Sequence, residues 1–358
     1  MRNFLTICSL TFNPAKGCNI IRFMKKIFVF ALVALLASMT MNAQNQVMKQ
    51  EKADDVIAVV GYFSKNDTMT YRLKHYKNKI QGNDTTVSES YVEKFMLVVT
   101  DSTSKGYKMK YIPQSFSLRD TTLRDTGTPT SQMAINAIAL RQLMQSVVCE
   151  FTTDEKGSLK RITNWREISD QLMKGVKATC DNLYATIPDL DTTNLRQQLG
   201  VILAFRFGTE EGVRNSYMEL ENLFGLYGST CDIGYWEEET EDHGYPQLIS
   251  TRVDYTTIED EGDDLDDGDY TISRQLTLTI PFEEVMDVGY GSLPLKVSEM
   301  VNDSLEANPN GAEVIVSDLY GFLFFKNGWL KKFLVEEEID LGFVKSVEVR
   351  YIECTTRK

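Results

Sequence analysis

The densest group of potential metal ligands is the run Glu259 to Asp269. There Asp263, Asp264, Asp266 and Asp267 could offer carboxylate oxygens to calcium, a hard cation. The order departs from the calcium-loop pattern: Leu265 stands where a ligand belongs, and no glutamate closes the loop. The run therefore reads as a solvated acidic loop between two long strands, its charge opposing edge-to-edge association. Neither a metal nor a cofactor is expected.

Catalysis is hard to assemble from the remaining residues. The chain has two histidines, His75 in a strand-like pattern and His243 in an acidic segment. A serine hydrolase needs a histidine base oriented by a carboxylate beside its nucleophile. The nearest stretch to a nucleophile elbow, Gly289-Tyr290-Gly291-Ser292, lacks the spacing. Zinc-protease, phosphate-loop and dinucleotide motifs are missing from the sequence. With 51 acidic residues, no single carboxylate pair stands out as glycosidase machinery. The sequence points to a non-catalytic protein.

Two further residue classes bear on chemistry. Cys149, Cys180, Cys231 and Cys354 are disulfide candidates in an oxidising compartment, and equally plausible as small buried hydrophobes. Asp followed by Ser or Thr recurs at Thr68, Thr85, Ser102, Thr121, Thr192 and Ser304. This resembles an O-glycosylation sequon that some Gram-negative bacteria use on exported proteins. The same dipeptide also makes turns and helix caps. Among the aromatics, Phe322, Phe324, Phe325, Trp329 and Phe333 are candidates to line an apolar pocket between sheet and helices, although such clusters are also ordinary core.

The N-terminus supplies an address. Met24-Lys25-Lys26 gives a positive region, Ile27 to Ala37 an apolar run too short to span a bilayer, and Met41-Asn42-Ala43 a cleavage site before Gln44. Residues 24–43 thus read as a signal peptide and residues 1–23 as a misassigned upstream extension. Removing 1–43 leaves 315 residues. It also removes five basic and no acidic residues, taking the formal charge from −13 to −18. That charge opposes binding to nucleic acid or anionic lipid surfaces. The expected product is exported to the periplasm, cell surface or medium, with no transmembrane anchor after cleavage.

Residues 44–358 read as a single α+β domain. Tyr71 and Leu73 alternate with Arg72 and Lys74, and Phe95, Leu97 and Val99 continue the period of two. A turn over Asp101–Gly106 leads into Tyr107, Met109 and Tyr111. A second hairpin joins 147–153 to 158–162 through Gly157. Ser131 to Gln145 predicts a short helix between these hairpins. A helical block spans about 164–226, opened by a capping box of Asn164 and Glu167. Its faces are Ile168, Leu172, Val176, Cys180 and Leu183, then Leu195, Leu199, Ile202 and Leu203, then a single helix through Val213, Tyr217, Leu220 and Phe224. Long strands return at 248–256 and 270–280, and 294–305 predicts another short helix. The final hairpin flanks Asn327-Gly328, the pair favoured in a two-residue type I′ turn. Val347, Val349 and Tyr351 supply a closing strand. This order implies a largely antiparallel curved sheet with the helical block on one face.

The segment Phe151 to Ile168 carries a strand–Asp-x-x-Gly–strand unit followed by an Asn-Trp-x-Glu-Ile sequence (Asp154, Gly157, Asn164, Trp165, Glu167, Ile168). It resembles a group of uncharacterised secreted Gram-negative proteins that combine a signal peptide with long antiparallel strands. At the level of architecture the order is similar to periplasmic lipoprotein-carrier folds, in which a curved sheet closes over helices around an apolar cavity. The likeness implies an apolar or lipid-like small-molecule ligand. The alternative expectation is a structural or interaction module whose partner is another envelope protein.

Overall fold

The computed structural model describes residues 56–81, 84–121, 129–242, 245–255, 268–281, 313–340, 342 and 345–357. The period-2 segments become strands β1 (Val56–Ala58), β2 (Thr68–Gln81), β3 (Asp84–Thr103) and β4 (Gly106–Thr121). Helix α1 (Pro129–Met144) precedes the hairpin β5 (Cys149–Thr153) and β6 (Leu159–Ile162). The helical block comprises α2 (Trp165–Thr186), α3 (Thr192–Phe207), α4 (Glu210–Ser216) and α5 (Met218–Phe224). Strands β7 (Thr230–Asp232), β8 (Gly234–Asp242), β9 (Tyr245–Tyr255), β10 (Tyr270–Pro281), β11 (Glu313–Phe324), β12 (Leu330–Asp340) and β13 (Lys345–Arg357) follow.

Eleven strands form one antiparallel sheet in the order β6-β5-β4-β3-β2-β13-β12-β11-β10-β9-β8, curved and unclosed. β1 and β7 pair separately. The join of β2 to β13 unites the two ends of the described chain at the middle of the sheet. The fold is α+β, with helices packed on the sheet as the segment order implies. Helix contacts fall on β4, β5, β6 and β12, the part of the sheet nearest the hydrophobic helix faces.

Side chains paired across antiparallel register share a face. One cross-strand row, Leu73–Ile352–Phe333–Phe322–Ile272–Val253, therefore defines the inner face. Leu172, Leu183, Leu195, Leu199, Leu203 and Phe207 of the helices belong to the same continuous core. Burying a side chain of this size contributes about 1.5–3 kcal/mol, so this seam dominates stability. The outer face carries a smaller apolar cluster: Leu334, Val347 and Val349, flanked by Tyr76, Ile80 and Tyr351.

Three local expectations are corrected. Asn164 makes no side-chain cap bond to α2. Its amide instead accepts from Glu150 N at 2.8 Å and donates to Val148 O at 2.9 Å, fastening the helix start to β5. The predicted third helix is two, because Tyr217 takes φ −98°, ψ 56° and buries its ring at the break between α4 and α5. The final hairpin has a three-residue loop. Gly328 N bonds Phe325 O at 2.7 Å, Phe325 N bonds Trp329 O at 2.8 Å, and only Gly328 has positive φ (+82°). That is a type I turn closed by a left-handed glycine; a type I′ turn would need Asn327 left-handed as well. The predicted helix at 294–305 lies outside the described residues.

Candidate functional site

The inner face changes character along the strands. Beyond the core row lies Tyr91–His75–Arg350–Val335–Tyr320–Arg274, and beyond that Lys77–Glu348–Glu337–Asp318–Leu276–Ile249. Three carboxylates, Glu348, Glu337 and Asp318, thus stand side by side on neighbouring strands. Like charges directly opposite are destabilising unless compensated. Compensation comes from one side: His75 Nε2 lies 3.0 Å from Glu348 Oε1, Lys77 Nζ donates to Glu348 Oε2 at 3.3 Å, and Arg350 Nη2 donates to Glu337 Oε1 at 2.5 Å. Burial would raise the Glu348 carboxyl, but His75, Lys77 and Arg350 outweigh it and pull it down to about 2. Asp318, half-buried, moves upward, from burial first and the Glu337 charge second. Among the described residues no cation lies within salt-bridge distance of Asp318.

Past this polar band the inner face is apolar again. The next row is Ile339–Val316–Leu278, with Val314 opposite Ile280 beyond it. Leu276, Leu278, Ile280 and Val316 are half-buried, and Ile339 is exposed. Ile249 and Val314 are buried yet lie outside the main core. The stretch is thus amphipathic end to end: a charged ladder on β13, β12 and β11 runs into an aliphatic surface on β9–β12. The surface presents half-buried aliphatic side chains that end at the Asp318 carboxylate. His75 stacks on Tyr91 with ring centroids 4.5 Å apart, and its Nε2 is within hydrogen-bond distance of Glu348.

The predicted pocket aromatics lie elsewhere. Phe324, Trp329 and Phe333 are buried in the main core, and Phe322 and Phe325 pack at its margin. Phe63 packs on Trp329 with ring centroids 4.3 Å apart, and Tyr270 stacks on Phe324 with ring centroids 4.9 Å apart. Tyr227 closes the group, its hydroxyl donating to Gly328 O at 2.6 Å. Asp263, Asp264, Asp266, Asp267, His243 and Ser304 lie outside the described residues. Asp269, at the end of the acidic run, is buried; it accepts from Lys326 N at 3.2 Å and from Lys331 Nζ at 2.9 Å.

Cys149 and Cys180 are buried, Cys231 and Cys354 half-buried, and all four are free thiols here. Of the Asp-Ser/Thr positions, Thr85 and Ser102 are exposed. Thr68 is half-buried and donates to Asn66 O, and Thr192 opens α3. Their neighbours do turn chemistry: Asp191 caps α3 by accepting from Thr193 N and Asn194 N, and Asp67 accepts from Ser64 N. Thr121 ends β4.

The ladder was missed in sequence because each carboxylate comes from a different strand. Glu337 hides in the run Glu336-Glu337-Glu338, and only register singles it out.

No protein-family model matches the chain, and no curated protein does either. Among solved structures, one of lipovitellin, described by its lipid–protein interactions, is similar over 83% of this chain and 26% of that chain, with 9% identity and a TM-score of 0.36. The chain thus spans about a quarter of that lipovitellin chain, and the likeness is one of loose architecture. No described helix is long and apolar enough to cross a membrane.

Proposed function

We propose that this chain is a non-catalytic exported protein of the cell envelope that binds an apolar, lipid-like ligand on the inner face of β9–β12. The observation carrying this reading is the aliphatic surface of Leu276, Leu278, Ile280, Val316 and Ile339. It lies on the core side of the sheet yet apart from the core, and it ends at the Asp318 carboxylate. Apolar side chains left partly in water gain about 25 cal/mol per Å² when a ligand covers them. The polar band separates this surface from the helix-covered core, so a ligand there need not disturb the fold.

A test uses a fluorescent fatty acid titrated against the full chain. Saturable binding that Leu278→Asp abolishes while the melting temperature holds supports the reading. Absence of saturable binding by the folded wild type removes it.

A second reading, an interaction module for another envelope protein, is favoured by one observation. Val201 and Phe205, one turn apart on α3, are 72% and 87% exposed. Together they form an exposed apolar pair that a protein partner could cover. Crosslinking through position 205 in cells, with no fatty-acid binding, would favour the module.

A further inference from the structure

Behind the polar band lies a charge pair that neither sheet nor helices would tolerate alone. Glu93 on β3 and Glu219 on α5 are each 2% exposed. They share one guanidinium, Arg141 on α1: Nη2 sits 2.5 Å from Glu219 Oε1 and Nη1 3.7 Å from Glu93 Oε2. The Tyr111 hydroxyl on β4 donates to Glu93 Oε1 at 2.7 Å. Glu93 Oε2, Glu219 Oε2 and the buried Tyr217 hydroxyl have no hydrogen-bond partner among the described residues.

Two carboxylates and one guanidinium leave one negative charge uncompensated in a water-poor site, an arrangement that proteins relieve by protonation. Among the described residues the charge of Arg350 on β13 also favours ionised Glu219, but its guanidinium is hydrogen-bonded to Glu337. His75 on β2 is engaged by Glu348, and Tyr91, on which it stacks, lies beneath Arg141 with the guanidinium 5.6 Å from the ring. Gln145 after α1 and Cys149 on β5 complete the neighbourhood as neutral groups.

We infer that the Glu93–Glu219 pair carries a single proton, held on Glu93, and that losing it loosens α1 and α5 from the sheet. The contact is a pH-sensitive latch. The two carboxyls are driven apart accordingly. Burial pushes Glu93 up, with Glu219 adding to the shift against the pull of Arg141. For Glu219 burial also raises, but the charge and hydrogen bond of Arg141 outweigh it and the carboxyl falls. The Glu93 contribution to stability is complete below the ordinary glutamate range and is lost as pH rises through its raised folded value. This inference is independent of what the aliphatic surface binds.

The test combines infrared spectroscopy and hydrogen exchange on the full chain. At neutral pH the wild type should show a protonated-carboxyl carbonyl band that Glu93→Gln removes. As pH rises from the ordinary glutamate range to well above neutral, exchange protection in α1 and α5, corrected for intrinsic rates, should fall at least tenfold in the wild type and stay level in Glu93→Gln. Wild-type spectra without a band lost in Glu93→Gln, or an unchanged pH course in the variant, would overturn the inference. So would failure of Glu93→Gln to fold, because the amide reproduces the neutral acid.

Discussion

His75 on β2 and Glu348 on β13 stand 273 residues apart in sequence and 3.0 Å apart in space. The contact exists because the first long strand and the last pair at the centre of the sheet. It anchors the polar band dividing the core from the aliphatic surface, and it favours the charged form of Glu348.

Glu348 is held down to about 2 although burial opposes this, because His75, Lys77 and Arg350 favour its charged form. An acid depressed in the folded state stabilises above the ordinary glutamate range and loses that contribution as pH falls toward about 2. Its side chain is 27% exposed, so screening trims the effect. Glu348→Gln is expected to cost about 1–3 kcal/mol at neutral pH and to flatten acid unfolding below about pH 4.5, as read by denaturant titration across pH.

Gly328 tests the corrected hairpin. Its φ is +82°, and a Cβ there would sit 2.0 Å from Val60 O. Gly328→Ala should destabilise by roughly 3 kcal/mol or more, since both backbone and neighbour must move. Asn327→Ala should cost about 1 kcal/mol, because Asn327 is not left-handed and contributes only a weak side-chain bond to Trp329 N. Equal losses in thermal melts would contradict the assigned turn.

Asn164 links α2 to β5 through Glu150 N and Val148 O. Asn164→Ala is expected to cost about 1–2 kcal/mol, with faster hydrogen exchange at the Glu150 amide rather than along the first turn of α2. Faster exchange confined to the helix start would restore the capping-box reading.

These sites show what the sequence made legible. Alternation at Tyr71–Leu73 and Phe95–Val99, and the stripe Ile168–Leu183, marked strands and a helix because solvent sits on one side of each element. The Asn164–Glu167 spacing resembled a cap, but a nearby strand edge competed for the same amide. The Asn-Gly pair located the last turn and misled on its type, since Gly328 also had to clear Val60 O. The aromatic cluster around Trp329 was visible, whereas Phe63, which packs on Trp329, and Tyr227, which bonds Gly328, arrive from distant segments. The ladder Glu348–Glu337–Asp318 required register across three strands, and local pattern holds no information on non-adjacent pairing.

Phe205 separates the two functional readings at little structural cost. Because it is 87% exposed, Phe205→Ser should change stability by no more than about 0.5 kcal/mol. Fatty-acid affinity should be unchanged, as α3 is remote from β9–β12 in the pattern of helix contacts. Loss of fatty-acid affinity in this variant would place the ligand on the helical layer instead.

The most direct measurement is a relaxation footprint of spin-labelled stearic acid on the methyl groups of the folded chain. Leu276, Leu278, Ile280, Val316 and Ile339 should broaden together and saturably, while the core methyls of Leu172 and Leu199 stay sharp. No saturable broadening, or broadening centred on Val201, would contradict a ligand surface on the inner face of β9–β12.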